Sequence, residues 1–166
     1  MSLVVDIQNA STEAVPGEDD MRGWIAAALN AEQPRASAEV SVRLVDIAEM
    51  TALNESYRGK QGPTNVLSFP ASVPEGVDIP LLGDIIVCVP VVREEAEHQG
   101  KAWDSHWAHM MVHGTLHLLG FDHIKDDEAQ AMEAAESAIM RKLNYNCPYQ
   151  TPPQNIDQTN QGPMKS

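Results

Sequence analysis

All six histidines of the chain fall between His98 and His123, and the run His113-Gly-Thr-Leu-His117-Leu-Leu-Gly120-Phe-Asp122-His123 spaces three imidazoles so that they can meet around one metal ion. Residues four apart on a helix lie about 40° from one another around the axis and about 6 Å apart along it, so His113 and His117 leave one face as a pair. Gly120 can take the left-handed conformation that ends a helix, which turns the chain back and brings His123 to the same ion. Three neutral nitrogens leave one tetrahedral position open, as in a catalytic zinc site, and the run fits the His-x-x-x-His-x-x-Gly-x-x-His ligand frame.

His109 offers a rival partner, since it too lies four residues from His113. His109 and His117 are about 12 Å apart along a helix, so they cannot share one zinc with bonds of about 2 Å. His113 must pair with one or the other, and His117 is preferred because it adjoins the glycine turn that returns His123. His106 and His109 are then expected to pack, or to hydrogen-bond as supports for the ligands. Trp103 and Trp107 read as core or groove wall. Zinc proteases of this frame carry Glu directly after the first histidine as general base, and here that position is Gly114, which argues against peptide hydrolysis. Asp122 is the nearest carboxylate, either a turn-capping or orienting group or a proton-transfer group. If phosphodiesters are cut instead, a cation should complement the developing charge. Arg58, before Gly59-Lys60-Gln61-Gly62, can supply a fork of donors, although by type alone it is also an ordinary surface arginine near a helix end.

Two βα units, a hairpin and three further helices are expected to position these residues. Leu3 to Ile7 reads as a strand and Glu18 to Asn30 as a helix; Glu39 to Val45 alternates as a half-buried strand, followed by a helix from Ile47 to Arg58 stopped by Gly59. Val66 to Phe69 and Asp84 to Val89 are short strands joined by a proline-punctuated loop. Helices follow from Pro90 to Gln99, from about Asp104 to Leu119 carrying the histidines, and from Asp126 to Leu143 behind an acidic first turn. Residues 1–146 are expected to form a single catalytic domain, and 147–166, rich in Pro, Gln, Asn and Thr, a disordered C-terminal tail.

Twenty-four acidic residues against eleven basic give a formal charge of -13, which argues against broad attraction to phosphate backbones and makes any nucleic-acid contact local, for instance around Arg58 and Lys60. The first residues lack a basic-then-apolar segment and no stretch nears membrane-spanning length, so a cytoplasmic location is expected. Cys88 and Cys147 lack a Cys-x-x-Cys partner and read as reduced thiols.

Four segments together resemble the YbeY endoribonucleases, or rRNA maturation factors: Asn54-Glu-Ser-Tyr57-Arg58-Gly, Thr64-Asn65-Val-Leu-Ser68-Phe69, Leu82-Gly83-Asp84-Ile85 and His106-Trp-Ala-His109 through His123. The resemblance implies an α+β fold, here a small mixed sheet of about four strands packed with five or six helices and a zinc site on a central helix. It implies a metal-dependent endoribonuclease specific for single strands, acting in maturation of the small-subunit RNA 3′ end and in ribosome quality control, with one zinc ion on His113, His117 and His123 and a functional arginine at Arg58. Small-subunit ribosomal proteins and an assembly GTPase are the partners implied. The family usually has Asp where this chain has Asn65, which makes a required carboxylate there doubtful. Two alternatives stand beside this reading: a zinc metallopeptidase with a displaced base, and a non-enzymatic ribosome assembly factor in which zinc stabilises the fold.

Overall fold

A computed structural model describes residues 2–72, 74, 76, 79–122, 124–146 and 148–149. Strand β1 (Ser2–Asn9) leads to helix α1 (Glu18–Glu32), and β2 (Ser37–Val45) to α2 (Ile47–Arg58). Strands β3 (Val66–Pro70) and β4 (Leu81–Cys88) come next, and then α3 (Val89–Gln99), α4 (Trp103–Leu118) and α5 (Asp126–Lys142). The four strands form one mixed sheet in the order β1-β2-β4-β3, as the α+β expectation requires. β1 with β2 and β2 with β4 are parallel, the first pair joined through α1 and the second through α2 and β3, whereas β3 and β4 pair antiparallel as the expected hairpin, with Val66 opposite Val87 and Pro70 opposite Gly83.

β4 begins at Leu81, three residues before the expected start at Asp84, because the ladder continues through Gly83, which pairs with Pro70. The φ of Gly83 is +142°, and a Cβ there would lie 2.2 Å from the carbonyl oxygen of Phe69 on the neighbouring strand. Only glycine lets the two backbones approach this closely.

Alternation along β2 sends Ala38, Val40, Val42 and Leu44 into the main core, where they meet Met21, Ile25, Leu29, Trp107, Met111, Leu116, Ile139 and Met140. The opposite face holds a smaller cluster of Val45, Met50, Leu67, Ile86 and Cys88. α4 is the central helix, packed against α1, α3, α5, β3 and β4. Its buried residues run almost continuously from His106 to Leu118, as befits a helix covered on all sides. That burial fixes the histidine-bearing backbone rigidly against the sheet.

Candidate metal centre and cleft

Helix α4 ends in a double hydrogen bond in which Phe121 N–H donates to the Leu116 carbonyl and Gly120 N–H to that of His117, both at 3.0 Å. Gly120 sits at φ +102°, so the left-handed turn expected there is present. One consequence reaches the site: the returning carbonyl of Phe121 accepts from His117 Nδ1 at 2.9 Å. His113 Nδ1 contacts Glu136 Oε2 at 2.5 Å. The Nε2 atoms of His113 and His117 stand 3.2 Å apart, the expected pairing of residues one helical turn from each other. His123 lies outside the described residues.

Glu136 is the residue that sequence reasoning missed. Its side chain is fully buried on α5, where Met132, Ala135, Ile139 and Met140 make the apolar stripe. A glutamate inside an apolar stripe was the available signal, because a charge is buried only when partners await it. Oε1 accepts from His109 Nε2 at 2.9 Å while Oε2 faces His113. Burial pushes this carboxyl up, but the hydrogen bonds it accepts from His109 and His113 more than reverse that and hold it well below the usual carboxylate range. His109 is shifted the other way: burial drives its pKa down despite the Glu136 bond, so it is a neutral ring that donates from Nε2. His109, His113 and Glu136 thus form a group that could hold a metal ion, with donor atoms all within 4.8 Å of one another.

His106 makes a parallel arrangement one turn earlier. It contacts Glu95 on α3 at 2.9 Å, and both carboxylate oxygens of Glu95 accept from the Asn65 amide at 3.2 Å. Burial raises the Glu95 carboxyl and the His106 and Asn65 bonds outweigh it, leaving a net depression. Asn65 also accepts from Val66 N–H at 2.7 Å and so caps the start of β3.

Gly114 is enforced by packing. A Cβ would come within 2.9 Å of the buried Ile85 Cγ2, 3.3 Å of Ser68 Oγ and 3.4 Å of Val66 Cγ2, and Ser68 Oγ donates to the Gly114 carbonyl at 2.9 Å. No larger side chain fits between α4 and the sheet here, least of all a glutamate.

A cleft of about 910 Å³ opens in front of the two Nε2 atoms. Arg58, Lys60, His113, His117 and Asp122 line it, together with Asn65, Glu133, Glu136 and Tyr149, whereas His109 stands behind its wall. Arg58 is exposed at the last position of α2. The helix stops there because Gly59 is left-handed, and the following loop is tied back by the buried Asn54 amide, which donates to the Gly62 carbonyl at 2.9 Å. The Tyr57 ring meets Phe69 edge-on, centroids 5.3 Å apart, and pins that helix end to β3.

A mixed four-stranded sheet whose central helix presents two neighbouring imidazoles to an open cleft, with Arg58 and Lys60 also in its lining, defines an α+β protein with the makings of a metal-assisted hydrolase. A family model described as Endoribonuclease YbeY matches residues 6–144. The chain is 57% identical over 143 residues to Endoribonuclease YbeY of Methylococcus capsulatus, covering 86% of this chain and 93% of that protein. It is 52% identical over 148 residues to the Pseudomonas entomophila protein of the same name, with coverages of 89% and 93%, and 51% identical over 146 residues to that of Cellvibrio japonicus, with coverages of 87% and 82%. The solution structure of a Thermotoga maritima protein superposes with a TM-score of 0.56 at 25% identity, over 84% of this chain and 89% of that one. The chain belongs to the YbeY endoribonuclease family, and with it to the nuclease hydrolases. No helix among the described residues is long and apolar enough to cross a membrane.

Proposed function

We propose that this protein is a zinc-dependent endoribonuclease that cuts single-stranded ribosomal RNA, in maturation of the small-subunit RNA 3′ end and in ribosome quality control. His113, His117 and His123 hold the ion. One observation carries this reading: the 3.2 Å separation of the His113 and His117 Nε2 atoms, combined with what each ring does at its other nitrogen. Glu136 accepts on the Nδ1 side of His113 and the Phe121 carbonyl, which can only accept, on that of His117, so with Nδ1 donating in both rings Nε2 is left as the metal-binding atom of each. Two nitrogens bound tetrahedrally to zinc at about 2.0–2.1 Å lie about 3.4 Å apart, close to the spacing found. The Nδ1 side of His113 is already closed by hydrogen bonds to Glu136, so the cleft-facing side is the better seat for the ion.

Zinc supplies Lewis acidity there, lowering the pKa of water toward about 7 and polarising a phosphoryl oxygen. Arg58 forks onto a phosphate, and Lys60 is a second, point-like cation; that both line the same cleft as His113 and His117 supports this reading. Asp122, on the histidine side, orients the ligand turn or moves a proton. His109 acts from behind the wall, by holding Glu136 against His113. The peptidase alternative is disfavoured by Gly114, since the position of a protease's base is filled by Ile85 and Ser68. Residues 1–146 form the single catalytic domain; of the tail expected over 147–166, all but residues 148 and 149 lie outside the described residues. The net charge of -13 leaves the Arg58 rim as a small cationic island, so RNA is delivered in the cytoplasm by small-subunit ribosomal proteins and an assembly GTPase and not captured by long-range attraction.

The test is metal content together with cleavage of single-stranded RNA and of casein by wild type and His117→Ala. One zinc per chain, lost with RNA cutting in the folded variant, is the expected result. Retained cutting in the metal-free variant overturns the assignment, casein cleavage favours the peptidase, and zinc binding with no cutting leaves the assembly factor.

A further inference from the structure

Tyr149 lies five residues beyond the last position matched by the family model, yet it enters the cleft. Its hydroxyl donates to Glu136 Oε1, the oxygen that also accepts from His109. The phenol oxygen is 3.5 Å from His109 Nε2, and the two rings meet edge-on with centroids 5.5 Å apart. The preceding residue is fastened as well, since Lys101 Nζ, in the connection between α3 and α4, donates to the Pro148 carbonyl at 2.9 Å. Glu136 has no exposed side-chain surface although it borders the cleft, whereas Tyr149 is 38% exposed. The phenol therefore roofs the carboxylate on the cleft side.

We propose that Tyr149 is a positioning residue for the metal centre, acting through Glu136 on His113, and that the Lys101 contact to Pro148 helps to hold it there. A glutamate side chain has three rotatable bonds, and its carboxylate plane is fixed only when donors engage both oxygens. His113 holds Oε2, while His109 and Tyr149 together hold Oε1. With Oε1 held from two directions the carboxylate cannot swivel, and the His113 ring whose Nδ1–H it accepts keeps Nε2 aimed into the cleft. Groups that orient a ligating histidine in this way are worth about 10–100-fold in metal affinity or activity when bonded to it directly. Tyr149 acts one bond further out, so its hydroxyl is worth roughly the lower end of that range.

The inference rests on the metal reading above, and the experiment separates the two. In the full chain, Tyr149→Phe, Tyr149→Ala and Lys101→Met are compared with wild type and His117→Ala for zinc affinity by chelator competition, for kcat and KM on single-stranded RNA, and for the downfield N–H proton resonance of His113. Tyr149→Phe keeps the ring and loses only the donor. It is expected to fold as wild type, to bind zinc roughly tenfold more weakly, to lower kcat with little change in KM, and to shift or broaden the His113 proton; Lys101→Met shows a smaller change in the same direction. Phenylalanine behaving as wild type in affinity and in the proton resonance overturns the proposal, as does a rise in KM alone, which would mean that Tyr149 touches RNA. If Tyr149→Phe does not fold, Lys101→Met carries the test by the same criteria. Zinc affinity equal in wild type and His117→Ala instead refutes the metal reading itself.

Discussion

Glu136→Gln is the substitution that most directly probes the core of the site. The amide matches the carboxylate in volume, so no cavity opens, but it replaces one acceptor oxygen by an NH2 group. Whichever way it turns, that NH2 faces either the Nε2–H of His109 and the Tyr149 hydroxyl or the Nδ1–H of His113, all of which donate to Glu136 in the native protein. Loss of a charge-assisted hydrogen bond costs about 1.5–3 kcal/mol, and opposing donors left in a buried site overlap with that figure, so the metal-free protein should lose about 3 kcal/mol. For a chain of this size the loss corresponds to a fall of about 6–12 °C in Tm. His113 can relieve the clash by moving its proton to Nε2, which removes the lone pair from the cleft, and zinc affinity should then fall about 10–100-fold. Urea unfolding of the metal-free variant measures the first effect and chelator competition the second. A variant within about 0.5 kcal/mol of wild type that also binds zinc as tightly would show that Glu136 does not hold the ring.

Gly83→Ala should cost several kcal/mol or prevent folding, because its Cβ would fall 2.2 Å from the Phe69 carbonyl oxygen, well beyond the roughly 1–3 kcal/mol of ordinary overpacking; thermal melts and soluble yield report it. Stability should fall as pH drops below about 6.5, where the unfolded chain protonates its histidines while His109 stays neutral. It should fall further below about 4.3, where unfolded glutamates protonate while Glu95 and Glu136 remain ionised, and urea midpoints from pH 8 to 3 measure this, with a shallower acid limb expected in Glu136→Gln. Cys88 is fully buried, and burial raises its thiol pKa, so iodoacetamide should leave it unmodified in the native protein at neutral pH and alkylate it in urea, as peptide mass mapping would show. Arg58→Ala, changing an exposed side chain outside the metal ligands, should keep zinc and Tm while RNA cleavage falls by about 100-fold or more; full cleavage removes Arg58 from the mechanism.

Local signals gave the sequence reading its reach. The five helices and four strands follow from periodicity and punctuation, and Gly59, Gly100 and Gly120 stop their helices by the positive φ that glycine allows. Helical arithmetic puts both His109 and His117 one turn from His113, and the structure brings His113 near each of them, His117 through the Nε2 atoms and His109 through Glu136. Illegible were the contacts that depend on how helices pack. Glu136 lies 23 residues from His113, and although the apolar stripe of α5 marks it as buried, nothing in the sequence says which residues of α4 it meets. Glu95 reaches Asn65 across 30 residues in the same way. Gly83 looks like a break until the neighbouring strand is in place, and Tyr149 sits in a stretch whose composition suggests no structure at all.

Gly114 and Glu136 together explain how a ligand frame shared with zinc proteases can serve another reaction. In a protease the carboxylate follows the first histidine and reaches the front of the ion. Here close packing of α4 on Ile85 and Ser68 removes that side chain, and the carboxylate nearest the histidines approaches from behind, on the Nδ1 side, with both oxygens committed to hydrogen bonds. A carboxylate so held cannot leave to collect a proton in the cleft. On the proposed reading, proton transfer falls to Asp122 or Glu133 and charge stabilisation to Arg58 and Lys60, all of which line the cleft. On that same reading a neutral peptide has little use for two cations in the cleft, whereas a phosphodiester, already anionic and gaining charge as it reacts, needs them. The glycine and the two cations therefore argue for the same substrate class independently.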